Sequence, residues 1–433
     1  MLRFVTLSLL ACALPLLAAA QITPIPAPAQ SAPIVIRKAT VHVGNGQVLE
    51  NTDLLITGGK LTAIGVDVNA PKTADLITID AAGRHVYPGL IALGTALGLV
   101  EIEAVRATND VRETGDFNPA ARAQAGYNTD SHILPVVRSN GVLLAQVAPA
   151  GGVISGRSSA VQLDAWNWED ATVRADEGLY LNWPSGQVPG FALGNPEAEK
   201  RFRDRAQEQL TALYNYFESA QAYTAATPTR NDLQLAALAP FLKGEGRVYI
   251  QASSVTDIEQ AVAFADRFKL KVAIVGGTEA ETLAPLLKSR GIPVVVLGTH
   301  QLPGRPDDPV DAAYSLPARL KAAGLTVAIA VGREGYQNFN LPFHAGTAAA
   351  YGLTPEEALS AITQVPAMLM GIEGRVGTLE VGKDATLVVS EGDILDMRTS
   401  RVTHAFIEGR QIDLNNKHKD LNRKWQEKYR RQR

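Results

Sequence analysis

Short, fully apolar runs recur from residue 142 onward and limit what this chain can fold into. They are VLLAQVA (142–148), VYIQA (248–252), KVAIV (271–275), PVVVL (293–297) and TVAIAV (326–331). Amphipathic segments such as DIEQAVAFADRF and EAETLAPLLKSR lie between several of them. Because strands that are apolar on both faces need cover on both sides, this alternation predicts parallel β-strand–helix–β-strand units. The pattern leaves open whether the sheet closes into a barrel, and the absence of a glycine-rich fingerprint after the runs argues against a dinucleotide-binding fold.

The regions on either side of these units have a different pattern. The runs IVIRKATVHVG, LLITGGKLTAIG and LITIDAAGRHVYPG come before them, and RVGTLEVGKDATLVVSEGDIL and VTHAFIEGRQIDL come after them. Short β-branched runs broken by glycines are typical of strand meanders, and Gly58-Gly59 predicts a hairpin turn. The sequence therefore predicts one small β domain assembled from both ends of the chain.

The N-terminal residues are typical of an export signal. A basic start is followed by the apolar run FVTLSLLACALPLLAAA, which ends in an Ala-x-Ala site, and a Pro/Ala-rich linker follows. A membrane anchor is the alternative, but the run is short and contains a proline. We expect a periplasmic or secreted protein, with lipid attachment at Cys12 as a further alternative. Cys12 is the only cysteine, so the processed chain would have no disulfide, thiolate metal site or cysteine nucleophile.

Composition and charge narrow the possible partners. The chain has 433 residues, of which 46% are hydrophobic, and a net charge of −3. This length suits one large domain with a smaller one, and the charge gives no reason to expect nucleic-acid binding. We expect no membrane span after signal cleavage. The basic C-terminal segment RKWQEKYRRQR is compatible with a solvated helix or with contact to anionic lipid or an acidic partner.

Several segments resemble the amidohydrolase superfamily, in particular its imidazolonepropionase-like and related secreted members. They are IVIRKATVHVGNGQVLENTDLLITGGKLTAIG, HVYPGLI, DIEQAVAFADRFKLKVAIVGGTEAETL, NLPFHAGTAAAYGL and GLTPEEALSAITQVPAMLMGIEGRVGTLEVGKDATLVV. The resemblance covers about residues 34–414. It implies an α/β fold, a (β/α)8 TIM-type barrel with a discontinuous small β-sandwich. The resulting divisions are a signal peptide (1–20), a linker (21–33), a β-sandwich (34–87 with 376–414), a barrel (88–375) and a basic tail (415–433).

The resemblance also implies a metal centre. Typical members have an Asp-x-His-x-His run on the first barrel strand, histidines at the ends of strands five and six, and an aspartate at strand eight. These side chains hold zinc or another divalent ion with one position open for water. The metal lowers the pKa of that water and so supplies hydroxide near neutral pH.

This sequence departs from that pattern at every matching position. The family's ligand positions fall at Gly94, Ala96, Gln251, Gly276 and, to within about one residue, Gly332. Glycine and alanine offer no side-chain donor, and a neutral glutamine carbonyl is a poor substitute for imidazole on zinc. We therefore expect no metal cofactor and a barrel whose usual metal site is degenerate.

Three other residues are weak catalytic candidates. His300 follows the seventh predicted barrel strand, His344 lies after the eighth, and Glu279 begins the helix after the sixth. The C-terminal ends of such strands form the functional face of a barrel. A structural role is the alternative for each residue, and for Glu279 that role is negative charge at a helix N-terminus.

Two further features lie near residue 155. The segment GGVISGRSSA is expected to be a small-residue loop, similar to one that closes over the barrel mouth in the family. Trp166, Trp168 and Trp183 are close to it in sequence, so they could line a ligand site or simply pack. Separately, the segment 197–223 has the longest helical pattern in the chain.

Two functions remain open at this point. The first is a non-catalytic subunit that binds a small molecule or supports a catalytic partner. Such a subunit would form a homo-oligomer, or a hetero-oligomer with an intact amidohydrolase paralogue. The second is an active hydrolase of C–N bonds in amides, cyclic amides or dipeptides, with a non-standard site.

Overall fold

The computed structural model of the protein describes residues 25–225, 231–304 and 307–431. The expected signal peptide and Cys12 lie outside these residues. The strands in the described part are β1 Ile34–His42, β2 Val48–Thr57, β3 Lys60–Gly65, β4 Ile77–Asp80, β5 His85–Pro88, β6 Leu90–Thr95, β7 Val142–Val147, β8 Ile154–Gln162, β9 Thr172–Asn182, β10 Arg247–Ala252, β11 Val272–Gly276, β12 Val294–Leu297, β13 Val327–Ala330, β14 Leu387–Ser390, β15 Val402–Ile407 and β16 Arg410–Gln411.

The α-helices lie mostly between and after the barrel strands. In the same described residues they are α1 Leu134–Arg138, α2 Trp168–Ala171, α3 Pro196–Ala225, α4 Leu233–Leu242, α5 Val255–Phe268, α6 Ala284–Ser289, α7 Ala312–Ala322, α8 Leu341–Ala350, α9 Pro355–Ser360, α10 Gln364–Met370 and α11 Lys417–Arg431. The long helix predicted from its charged and apolar faces is confirmed as α3.

Strands β6 to β13 form a nearly closed barrel, which confirms the predicted fold class. They are hydrogen-bonded in chain order from β6 to β13. Beyond the ends of β6 and β13, the Ala96 N–H donates to the Arg333 carbonyl at 3.2 Å. Strands β9 to β13 run parallel, as their apolar runs predict, and so do β6 and β7.

The predicted all-parallel arrangement is wrong at one strand. The segment expected to be a small-residue loop is strand β8, which pairs antiparallel with both β7 and β9. Its connection to β7 spans only residues 148–153, which is too short for the crossover that a parallel neighbour requires. Gly151 and Gly152 turn the chain there with φ of +82° and +63°. Strand β8 has three serines and one glycine among its nine residues and only two β-branched residues, so its sequence did not predict a strand.

The other strands form a separate sheet from both ends of the chain, as predicted. Its order in the described residues is β16-β15-β14-β5-β1-β2-β3, with β4 paired to β1. Because β1 is long, its first half pairs with β4 and its second half with β5. The predicted sandwich is therefore hydrogen-bonded into one continuous sheet.

Alternation along the barrel strands separates an inner from an outer core. Leu179 and Leu181 of β9 pack outward against the helices, in a cluster that includes Phe217 of α3 and Phe264 of α5. Tyr180, between them in sequence, belongs to the inner cluster. This is the period of two expected for strands with helices outside the barrel.

A buried ion-pair cluster ties the sheet and the N-terminal segment to the barrel. The Asp164 carboxylate lies 2.5 Å from Arg138 and 3.0 Å from Arg410 of β16, and it also accepts from the Ala27 N–H. Arg138 and Asp164 are both buried. A carboxylate with this many charged and backbone donors compensates for its desolvation, so we expect it to be sensitive to substitution.

The basic tail forms the exposed helix α11, with no buried residue among those described. Its Lys417 ammonium contacts the Tyr336 hydroxyl and lies 4.7 Å from the centre of the Tyr336 ring. Among the described residues, none of the helices combines the length and apolarity that crossing a membrane requires.

Candidate functional site

All five positions that match the family's metal ligands lie at or near the C-terminal ends of barrel strands. Gly94 is in β6 and Ala96 follows it, Gln251 is near the end of β10, Gly276 ends β11, and Gly332 follows β13. The fold thus brings these positions to the face where such barrels carry their sites.

The place next to Gly94 is filled by a tyrosine from another strand. A Cβ at Gly94 would lie 2.8 Å from the Tyr180 Oη, and the Gly94 φ is +63°. The Tyr180 hydroxyl donates to the Gln146 Oε1 at 2.7 Å, and the Gly94 N–H donates to the same oxygen at 3.1 Å. A larger side chain at position 94 is therefore opposed both by backbone conformation and by contact.

Below this contact, the barrel interior holds a buried polar network around Glu177. The Gln146 Nε2 and Ser158 Oγ each donate to the Glu177 Oε1 at 2.6 Å, and the Tyr249 hydroxyl donates to Oε2 at 3.2 Å. The Tyr180 and Tyr249 rings stack with their centres 5.1 Å apart. Burial raises the pKa of Glu177, although its three donors act in the opposite direction. The interior is thus closed by hydrogen bonds between protein groups.

The residues present do not fit the metal that the family implies. A Cβ at Gly276 would lie 2.6 Å from the Ser253 Oγ, and Gln251 offers only an exposed amide. Within residues 25–225, 231–304 and 307–431, no group of three or more His, Cys, Asp or Glu side chains could hold a metal ion. The donors that zinc prefers are imidazole, thiolate and carboxylate, and this face does not assemble them.

His300 and His344 come together at the barrel mouth, as a stacked pair. Their ring centres are 4.0 Å apart. The His344 Nδ1 accepts from the Thr299 N–H at 2.9 Å and from the His300 N–H at 3.3 Å, so its proton is on Nε2. Burial, with a contribution from His300, lowers the pKa of His344 to about 4. The His300 Nε2 lies 2.8 Å from the Thr347 hydroxyl. The hydrogen bonds described for the two rings go to backbone N–H and threonine hydroxyl groups, and none goes to a carboxylate of the kind that orients a general base.

Glu279 accepts a hydrogen bond from the start of a neighbouring helix. Its Oε2 accepts from the N–H of Val255, the first residue of α5, at 2.8 Å. This is the role of negative charge at a helix N-terminus. Glu279 itself precedes a short 3₁₀ helix over residues 280–283.

The tryptophans that are close in sequence have separate surroundings. Trp183 is buried against Phe264 and donates to Gln260 from its indole nitrogen. Trp168 packs at the edge of the inner cluster, whereas Trp166 is exposed. The structure therefore favours packing for Trp183 and Trp168.

A cavity of about 460 Å³ opens at the mouth above β6, β7 and β13. Its wall includes Arg333, which directly follows the family's strand-eight position. The Arg333 guanidinium donates to the carbonyls of Ala148 (3.1 Å) and Pro149 (2.6 Å), and its Cζ lies 5.9 Å from the centre of the Tyr180 ring. Burial lowers the pKa of Arg333, although guanidinium remains charged near neutral pH. The other lining residues are Ala96, Val100, Glu101, Glu103, Asn109, Val111, Ile133, Ala150, Glu334, Gly335, Tyr336 and Gln337.

Sequence reasoning did not find this cavity. Arg333 is one residue beyond the position that matches the strand-eight ligand, where arginine is unsuited to bind a metal, and Glu101 and Glu103 lie in an irregular segment with no motif. The available indication was positional, because all three residues follow barrel strands one and eight, whose ends are adjacent when the barrel closes.

Comparison with known proteins agrees with the fold. A model of the amidohydrolase family matches residues 253–412. The chain is 25% identical over 381 residues to imidazolonepropionase from Symbiobacterium thermophilum, covering 79% of this chain and 84% of that protein. It is 21% identical over 398 residues to amidohydrolase tasK from Hapsidospora irregularis. That match covers 82% of this chain but spans only 39% of the length of tasK.

Solved structures share the architecture. An amidohydrolase from Thermotoga maritima MSB8 superimposes with a TM-score of 0.77, covering 88% of this chain and 99% of that one at 24% identity. At this identity the likeness concerns the fold alone. The family model, the curated relatives and this shared fold together support the amidohydrolase superfamily.

Proposed function

We propose that this chain is a non-catalytic member of the amidohydrolase superfamily that binds a small molecule at the barrel mouth. The supporting observation is the Tyr180 hydroxyl beside Gly94. It takes the space into which a metal-binding histidine of the first strand would project. With Gln146 and Glu177 hydrogen-bonded beneath it, this part of the barrel is filled by protein groups.

Metal analysis combined with an activity screen tests this proposal. The full chain is expressed with its export signal, purified in its processed form, incubated with zinc and dialysed. Its metal content is then measured beside its turnover of amides, cyclic amides and dipeptides. We expect far less than one metal ion per chain and no turnover. An imidazolonepropionase purified in parallel is the positive control. One zinc per chain that is lost together with activity on chelation would overturn the proposal.

The alternative is an active hydrolase of C–N bonds with a non-standard site. It is favoured by the names of the relatives, which include an imidazolonepropionase and an amidohydrolase, and by the adjacency of His300 and His344. In this case the same screen finds turnover, and replacing either histidine by glutamine abolishes it. Against this alternative, the His344 Nδ1 already accepts two backbone hydrogen bonds.

In a second form of the non-catalytic proposal, this chain supports an intact, catalytic paralogue. It predicts that co-expression with a homologue that retains His-x-His gives a complex that co-purifies and carries metal only on the partner. A homo-oligomer would instead elute alone above its monomer mass of 46.1 kDa, less the signal.

We also propose export to the periplasm or secretion, from the apolar N-terminal run and its Ala-x-Ala site. The test is the intact mass of protein recovered from the periplasm or medium. Cleavage after Ala20 predicts a chain that begins at Gln21, whereas a lipid-modified Cys12 would give a different N-terminus.

A further inference from the structure

The mouth cavity is lined by a fixed cation and by a glutamate with one carboxylate oxygen that has no hydrogen-bond partner in the described part of the chain. Its volume of about 460 Å³ lies in the range of small-molecule sites. It is bounded on one side by the segment after β6 and on the other by residues 333–337 after β13. The second wall carries the Arg333 guanidinium, and Glu101, Glu103 and Glu334 also line the cavity.

The cation is the guanidinium of Arg333. Two neutral backbone carbonyls, of Ala148 and Pro149, hold its NH1 and NH2 atoms in place. Among the described residues no carboxylate lies within 4.0 Å of it, whereas Arg138 and Arg410 are both paired with Asp164. An arginine has five N–H donors, so a guanidinium held by two carbonyls keeps donors free for a carboxylate ligand.

The wall formed by the segment after β6 carries Glu101. Its Oε1 is buried and has no hydrogen-bond partner in the described part of the chain. Because Oε1 is shielded from water and has no protein donor, a cationic group in the cavity beside the rest of this carboxylate would offset its charge. Glu103 and Glu334 line the same cavity, and Glu334 accepts from the Gln337 side chain.

We infer that this cavity binds a small zwitterion, with its carboxylate on Arg333 and its ammonium group on Glu101. A simple anion would face three carboxylates, and a simple cation would face the guanidinium. A ligand with both charges can pair with Arg333 through its carboxylate and with Glu101 through its ammonium group. Val100, Val111 and Ile133 provide apolar lining for a hydrocarbon side chain. This inference rests on the proposed ligand-binding function and names the chemical class of the ligand.

Calorimetric titration of the processed protein with matched probes tests the inference. The zwitterionic probes are L-leucine and L-leucyl-L-leucine, and the analogues are L-leucinamide, which lacks the carboxylate, and N-acetyl-L-leucine, which lacks the ammonium group. We expect each analogue to bind about tenfold or more weakly than leucine, since each loses a charged hydrogen bond.

Two variants assign each charge to its residue. Arg333→Gln should weaken leucine binding about tenfold or more but leave leucinamide binding unchanged, because that analogue has no carboxylate to lose. Glu101→Gln should weaken leucine binding but not N-acetyl-leucine binding. Arg201→Gln and Glu197→Gln, on α3 away from the cavity, are matched controls that should bind as the unmodified chain does.

Either of two results overturns the inference. One is equal binding of leucine and both analogues, and the other is no binding of either zwitterion at about 10 mM, where even a millimolar Kd is measurable. The analogue series on the unmodified chain decides the matter if a variant fails to fold. Metal content and turnover of the same preparation report separately on the proposed function. A metal-free, inactive protein that does not bind the zwitterions would therefore refute this inference and leave the proposed non-catalytic function standing.

Discussion

Adding one methyl group at Gly94 should destabilise the protein more than adding one at a comparable glycine elsewhere. At Gly94, φ is +63° and a Cβ would lie 2.8 Å from the Tyr180 Oη. The left-handed backbone conformation costs an L-residue about 1–2 kcal/mol, and overpacking a buried site adds about 1–3 kcal/mol. Gly94→Ala should therefore lower the free energy of unfolding by about 2–5 kcal/mol.

Gly58 is the matched control, because its φ is +57° and nothing lies within 4 Å of its added Cβ. Gly58→Ala should lose only the backbone contribution of about 1–2 kcal/mol. Urea denaturation measures both losses of unfolding free energy, each as the shift in the midpoint urea concentration multiplied by the slope of free energy against urea. Combining Gly94→Ala with Tyr180→Phe removes the opposing hydroxyl, so the double variant should be more stable than the sum of single effects by about 1 kcal/mol. Equal losses at Gly58 and Gly94, or strict additivity with Tyr180→Phe, would refute the contact.

Three other predictions follow from buried titratable groups. Asp164→Ala leaves Arg138 and Arg410 without their shared carboxylate and should destabilise the protein by about 3–5 kcal/mol. Urea denaturation measures this loss, and a value below about 1 kcal/mol, which is typical of surface ion pairs, would contradict the prediction. Because the pKa of Glu177 is raised in the folded protein, its contribution to stability is largest below pH 4.5, the usual pKa. That contribution decreases as pH rises through the folded pKa. Glu177→Gln should therefore flatten the fall of unfolding free energy with pH in that window, and an unchanged slope would contradict the raised pKa. Burial lowers the pKa of His344 to about 4, so its contribution to stability is fully present above pH 6.5 and is lost as pH falls toward 4. An NMR titration of its imidazole should have a midpoint near pH 4, and a midpoint near pH 6.5 would contradict its burial.

Much of the architecture could be predicted from local pattern. The apolar runs that become β10 to β13 are strands in the structure, because residues covered on both faces must be apolar throughout. The direction of β8 could not be predicted this way. Its glycine and serine residues have little strand propensity, and its pairing depends on the short connection over residues 148–153.

The contents of the barrel were harder to predict, because they depend on register between strands. Gln146, Glu177 and Tyr180 come from two strands that are not adjacent in the sheet, and each is unremarkable in its own sequence context. Only the closed barrel brings them together beside Gly94. The residues at the positions that match the family's ligands could be read from the sequence, whereas the groups that surround Gly94 required the fold.

The most direct test of the central claim is anomalous X-ray diffraction at the zinc edge, from crystals of the processed protein grown with zinc. We expect no anomalous peak among positions 94, 96, 251, 276 and 332. We also expect the Tyr180 hydroxyl to be hydrogen-bonded to Gln146 beside Gly94. A zinc peak at this place, with Tyr180 displaced from it, would contradict the claim that protein side chains have taken the place of the metal.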